Sequence, residues 1–432
     1  MGFTALSFLC CFLPLTLLLS AMLRGRRGYR LLLCAVSLVF YAWVGLWQAL
    51  VFLGFVLVNH LISFLKPPAR KALALAFNLG LLALAKLMPL SPVLAGYQPL
   101  VLLGFGYTAL QALGYHLENE KGSLLDLTFY LVFLPKALMG PLAGYQELVS
   151  QRPSREHLVD DLVQGLSRLI LGLSKKLLLA DRLALVTLAA GQAGDIDRGV
   201  VLSLMAALVF PLQLYLDFSG FADIALGFAK CLGFSLPENF DRPFLADSLR
   251  AFWRRWHMSL SRWFAEVVYQ PLGGSRQGQA RAIINTFVVF MLIALWHGLG
   301  WGFALWGLWN ALLVSLERRK ILQPKAWSKW LRGAYVYVAT AVGFVFFTAG
   351  SDVPRMLGGF FRLGNLRLAL TQLTPVFLLA CCASVLVIVL SGRGIKRSLP
   401  VWPASIAKLA LLALCLLAAA GSHHLPFLYA AF

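Results

Sequence analysis

The run Leu292–Trp306 reads LIALWHGLGWGFALW, a stretch of membrane-like sequence with one ionisable side chain, His297, near its centre. A charged and unpaired side chain at bilayer depth costs about 2.5 kcal/mol or more, so His297 must be paired, kept neutral or put to use. It lies in an apolar segment at 283–301, with another at 303–316, and such segments recur from 3–23 to 406–420 with short connections. Of 432 residues, 60% are hydrophobic and only 13% charged, and the mean hydropathy is +0.77. A soluble domain carries roughly a quarter charged residues. The chain therefore reads as a single all-α integral-membrane domain over 1–432, a polytopic helical bundle of about 11–13 spans with re-entrant and interfacial helices.

The net charge of +20 would suggest nucleic acid in a soluble protein, but here the basic residues gather between apolar segments, the positive-inside pattern. Arg24–Arg27, Lys66–Lys71, Glu317–Lys320 and Arg393–Arg397 are expected in the cytoplasm, while Gly191–Asp197 and Pro89–Pro99 are expected outside. The first apolar run precedes its arginines, the reverse of a cleaved signal, so it reads as a retained span with the N-terminus outside. The seven cysteines lack CxxC spacing and suggest neither a disulfide framework nor a metal site.

Breaks such as Phe133–Pro141 put freed backbone groups at membrane depth, where only surrounding protein or a wet cavity can satisfy them. The stretch 235–281 is less apolar than its flanks and rich in arginine, which reads as a cytoplasmic or interfacial helical segment. Within it, Phe252, Trp253, Trp256, Leu260, Trp263 and Phe264 recur at helical spacing beside Arg254, Arg255 and Arg262. One reading is an aromatic belt with arginines on anionic lipid. The other is a donor site in which Arg254 and Arg255, with Trp253 and Trp256, hold the phosphates of an acyl carrier.

His257 closes that stretch and His297 follows in the next apolar segment. A single buried histidine is more often structural than catalytic, yet intramembrane ionisable groups carry a functional presumption. Neutral imidazole can take a proton from a hydroxyl that attacks an ester or thioester. Asp217 and Asp223 could bind an ion, orient a histidine or cap a helix. His60 and His116 read as interfacial, and His423 and His424 as headgroup or partner contacts. No GxSxG elbow, P-loop or HExxH motif occurs, so hydrolase, ATPase and metalloprotease readings lack support and no bound cofactor or metal is expected.

Phe252–Phe264, Tyr269–Arg276, Leu295-Trp-His-Gly298 and Leu305–Asn310 closely resemble the membrane-bound O-acyltransferase superfamily, above all its bacterial polysaccharide branch, which includes the membrane subunit of alginate O-acetylation. Leu212–Asp223, Glu238–Phe240, Gly172–Lys176, Gly140-Pro141 and Pro426–Tyr429 resemble the same pattern in the same order. The resemblance implies a bundle enclosing a funnel or tunnel, with His297 catalytic at its narrow part, His257 as the second family histidine, and Trp296, Asp217 and Asn239 as supporting residues. It also implies acetyl-CoA as cytoplasmic substrate, an outward polysaccharide acceptor in exopolysaccharide biosynthesis at the inner membrane, and an extracytoplasmic partner of the SGNH-hydrolase type. The family's Trp-Phe-Arg-Asp is Trp263-Phe-Ala-Glu266 here, and its Phe-Phe-Arg is Phe346-Phe-Thr348, two losses of positive charge. Gly298, Gly300 and Gly302 would break the span beside His297 and open room for an acyl chain.

Two rivals remain at this level. D-alanyl transfer from a carrier protein to teichoic acid shares a motif like Trp256–Ser261, although Pro271–Ser275 resembles the acetylating branch better. A transport or non-catalytic subunit of a polymer-secretion complex would use the histidines for proton relay or structure. Missing internal repeats weigh against the transporter.

Overall fold

The structure, a computed structural model, describes residues 2–88, 104–136, 139–390 and 401–421. Among the described residues every regular element is helical. In chain order the principal helices are α1 Leu13–Leu23, α2 Tyr29–Val44, α3 Leu46–Ile62, α4 Pro67–Leu87, α5 Phe105–Leu117, α6 Leu124–Val132, α7 Leu158–Leu173 and α8 Asp181–Gln192. They continue as α9 Val200–Cys231, α10 Leu249–Trp253, α11 Met258–Phe264, α12 Gly278–His297, α13 Trp301–Arg318, α14 Lys329–Ala349, α15 Pro375–Leu390 and α16 Val401–Ala420. By length and composition α4, α9, α12 and α14 can each cross a membrane, and α1, α2, α3, α15 and α16 are shorter apolar helices. The chain is a polytopic, membrane-embedded helical protein. Pro89–Pro99, Arg393–Arg397, His423, His424 and Pro426–Tyr429 lie outside the described residues.

Lipid reverses the usual rule for which face of a helix turns inward. On α4 the inward stripe is Arg70, Ala74 and Asn78, four residues apart, while Leu73, Leu75, Leu79 and Leu84 face outward. Hydrocarbon already solvates leucine, so small and polar side chains gain most from meeting protein.

The chain divides into two compact units. One is built from Met1–Leu173, Phe221–Glu238 and Leu411–Ala431, the other from Ser174–Gly220 and Asn239–Ala410. The first is tied by buried polar pairs. Arg24 bonds Asp161, which also takes Lys230 Nζ at 2.6 Å. Arg168 reaches Glu238 with both terminal nitrogens, at 2.7 and 2.6 Å, and Asp223 at 3.0 Å. Helices α7 and α9 cross backbone to backbone at Gly165 and Gly227, where a Cβ on either would lie 2.6 Å from the other's carbonyl oxygen.

His116 is not interfacial. It is fully buried in this unit, where Nδ1 accepts from Arg70 Nε at 3.0 Å and Nε2 lies 3.0 Å from Asn59 Oδ1. Asn78 Nδ2 donates to the same Asn59 oxygen at 3.0 Å. A position near a span end looks wet in sequence, but here Arg70 enters from α4 and requires a neutral acceptor. The break after α6 is likewise filled by protein: Leu134 N–H donates to Ser37 Oγ at 3.1 Å, and buried Lys136 donates to Gln111 Oε1 at 2.7 Å and sits 4.0 Å over the Tyr130 ring.

Candidate active site

Both sequence-singled histidines fall in the second unit. The stretch 251–264, apolar at helical spacing, is two short helices rather than one, because the chain turns left-handed at His257 (φ +45°) between α10 and α11. Such a φ is uncommon for a non-glycine residue and needs tertiary support. Asn239 supplies it. Its carbonyl accepts Met258 N–H at 2.9 Å, and its Oδ1 accepts Ser259 N–H at 3.2 Å and the Ser259 hydroxyl at 2.9 Å while lying 3.1 Å from His257 Nδ1. A backbone N–H can only donate, so the Asn239 atom at this junction is oxygen and His257 Nδ1 carries the proton. Burial pushes the His257 pKa down to about 3. The ring is therefore neutral, with its lone pair on Nε2.

His297 is the last residue of α12, which stops because Gly298 continues in an extended conformation. It is 5% exposed. The rings of Trp296, Phe347, Trp306 and Phe303 surround it with centroids at 4.7, 4.9, 5.8 and 6.4 Å. From Phe347 the aromatic contacts run on through Phe344 (6.3 Å), Trp256 (5.7 Å), Phe240 (5.2 Å) and Phe218 (5.0 Å) to His257 (4.7 Å). One continuous aromatic layer thus joins the two histidines, and Trp256 is its central member. Phe218 is held from behind, since its neighbour Asp217 pairs with buried Lys176 at 2.6 Å, and Lys176 also meets Asp181 at 2.8 Å.

Beside this layer lies a cavity of about 250 Å³. Arg250, Arg254 and Arg318 bring charge to its lining beside the hydroxyls of Tyr269, Ser261 and Thr286, and Trp253, Phe264, Phe290 and Ile293 form much of its apolar lining. Thr286, Phe290 and Ile293 line it from α12 at helical spacing, and His297 is the next position on that face. At 1.5 Å per residue the step from Thr286 to His297 is roughly 16 Å along the helix. The arginines crowd one another: burial, then Arg318 and Arg254, lowers the Arg250 pKa from the usual arginine value. The nearby carboxylate of Glu317 is engaged elsewhere, accepting Leu249 and Arg250 N–H at 2.8 and 3.1 Å and the Tyr335 hydroxyl at 3.1 Å. Arg318 bonds the Tyr269 hydroxyl at 3.0 Å, and its buried Nε has no hydrogen-bond partner among the described residues. Such a lining suits an anion.

Trp253 and Arg254 therefore line the cavity, whereas the Arg255 guanidinium meets the Leu245 carbonyl at 3.4 Å and stands apart from it. Arg250 and Arg318 were missed in the sequence, although Arg250 is one helical turn before Arg254 and Arg318 belongs to a basic run. Ala265, where the family pattern has arginine, lines the cavity and leaves that position empty of charge. The glycines after His297 do break the helix, but they open no room. Gly302 N–H donates to the Gly350 carbonyl at 2.6 Å, and a Cβ on Gly300 would lie 2.7 Å from that residue's carbonyl carbon. They allow α13 to touch the end of α14, and the space lies along α12 instead.

Residues 93–323 match the model of the membrane-bound O-acyltransferase family. The chain is 31% identical over 409 residues to a protein of Pseudomonas putida named as a probable alginate O-acetylase, covering 85% of this chain and 82% of that one. It is 34% identical over 203 residues to a peptidoglycan O-acetyltransferase of Helicobacter pylori, 45% of this chain and 37% of that one. A teichoic acid D-alanyltransferase of Streptococcus thermophilus is 26% identical over 289 residues, 58% of this chain and 69% of the relative.

Proposed function

The chain belongs to the membrane-bound O-acyltransferase family, and on that premise we propose that it moves an acyl group, acetyl by preference, from a cytoplasmic donor such as acetyl-CoA toward an extracytoplasmic polysaccharide. The setting is a bacterial inner membrane with the N-terminus outside, and a partner of the SGNH type carries the group onward to the polymer. One observation carries this reading: an arginine-lined cavity runs along the face of α12 that ends at His297. The arginines hold the donor's phosphates and the apolar lining takes the rest of its arm.

His297 is the general base. Its imidazole takes the proton of the acceptor hydroxyl as that oxygen attacks the thioester carbonyl, the tetrahedral intermediate collapses with cleavage of the C–S bond, and the leaving thiolate recovers the proton. His257 is a positioning residue. Its Nδ1 proton is committed to Asn239, and the aromatic layer ties its position to that of His297. The alginate O-acetylase likeness spans more of the chain at higher identity than the D-alanyltransferase likeness, which favours acetyl over D-alanyl as the cargo.

The test is purified protein with acetyl-labelled acetyl-CoA and a polysaccharide acceptor with its partner. Wild type should release free thiol and move label, and His297→Ala should lose about 10²–10⁴-fold in rate. A correctly inserted His297→Ala protein working at the wild-type rate would remove His297 from the chemistry.

A further inference from the structure

We propose that a plate of three rings, Trp253, Phe290 and Trp306, is the constriction that sets the length of the acyl group admitted to His297; this rests on the donor reading above. Trp253 and Phe290 line the cavity. Behind them lies Trp306, 5.5 Å from Trp253, 6.2 Å from Phe290 and 5.8 Å from the His297 ring. Trp253 and Phe290 also meet edge to face at 5.6 Å, so each ring of the plate touches the other two.

The plate is fastened. Trp253 Nε1–H donates to Asn310 Oδ1 at 3.1 Å, and Asn310, 1% exposed, donates from Nδ2 to the Trp306 carbonyl at 2.8 Å. One buried amide thus holds the indole of α10 against the helix turn that carries Trp306. Swinging the indole aside would strand that buried amide oxygen without its donor. With its phosphates on Arg250, Arg254 and Arg318, a donor directs its acyl group at this plate, and every added methylene meets ring carbon rather than space. Close-packed interiors yield poorly to such insertion.

The plate therefore passes a two-carbon acyl group and holds back longer ones, and Phe290 and the Asn310 tether decide the cut-off. The full-length protein is titrated with the unreactive thioethers S-ethyl-CoA and S-hexyl-CoA by calorimetry, and thiol release from acetyl-CoA and hexanoyl-CoA is measured alongside. Wild type should bind the ethyl compound about tenfold or more tighter than the hexyl compound, in line with the value of a few methylenes in a fitted site. Phe290→Ala should bring the two within about threefold, and Asn310→Ser, which frees the indole without removing a ring, should move the ratio the same way. An unchanged ratio in both variants overturns the proposal. A ratio that shifts while wild type releases thiol from neither ester upholds the plate and defeats the acyl-transfer reading. Binding of neither thioether defeats the donor reading and the plate together.

Discussion

Asn239 and His257 meet through one oxygen: Asn239 Oδ1 lies 3.1 Å from His257 Nδ1 and also takes the N–H and hydroxyl of Ser259. The amide thereby fixes the tautomer of the imidazole, and burial keeps the ring neutral. Asn239→Asp keeps the shape but places a carboxylate there, which stabilises imidazolium and raises its pKa from about 3. The acid-side limb of the variant's kcat/KM profile should lie at higher pH than that of wild type. Superimposable pH profiles from 4.5 to 8 would show that the pair does not set the protonation state.

Burial holds folded His257 at about 3 against 6.5 for the free side chain. Below pH 6.5 the unfolded chain binds a proton at this position that the folded chain refuses. The stability is thus intact above pH 6.5 and drains as pH falls from there toward 3, at about 1.4 kcal/mol per pH unit from this group. His257→Asn tolerates the left-handed backbone and removes the titration. Unfolding midpoints in detergent from pH 7.5 to 5 should fall less steeply in the variant, and parallel curves would contradict the assignment.

Arg318 enters the cavity with a buried Nε that no group among the described residues engages, and Arg250 lines the same cavity. If they take the donor's phosphates, Arg318→Gln or Arg250→Gln should raise KM for acetyl-CoA about tenfold or more, as expected for a lost charge-assisted bond, with a smaller effect on kcat. Arg255→Gln should raise it less, since that guanidinium lies on the Leu245 carbonyl. Ala265→Arg would put a fourth guanidinium on the lining and should alter KM rather than kcat. Equal KM values across these variants would place the donor elsewhere.

What the sequence disclosed follows from what it encodes locally. An ionisable residue in an apolar run is visible at once, so His297 stood out, and the aromatic, arginine-bearing stretch that His257 closes drew notice to Trp253 and Arg254. The left-handed turn at His257 was invisible because Asn239, eighteen residues away, imposes it. Arg24 looked like one more loop cation, yet it is buried against Asp161, a partner 137 residues distant. Arg250 and Arg318 were hidden for the same reason: a basic residue near a span end carries the same signal whether it marks topology or lines a cavity.

The glycines beside His297 offer the sharpest check on which space is free. A Cβ on Gly302 would lie 2.3 Å from the Phe346 carbonyl oxygen and 2.7 Å from that of Gly350, both backbone atoms that cannot step aside. Gly350 itself adopts φ +54°, so the end of α14 is already shaped to receive Gly302 N–H. Gly302→Ala should therefore pry α13 from α14 and disturb Phe347 and Phe303, the rings on His297, lowering thermal stability and kcat together. Gly333→Ala, at a position where the added carbon meets nothing within 4 Å among the described residues, provides the comparison and should leave both near wild type. Were the glycines instead to open room for an acyl chain, Gly302→Ala would raise KM for the donor while leaving the melting temperature unchanged. Melting curves and donor kinetics on the two variants distinguish a helix crossing from a substrate channel.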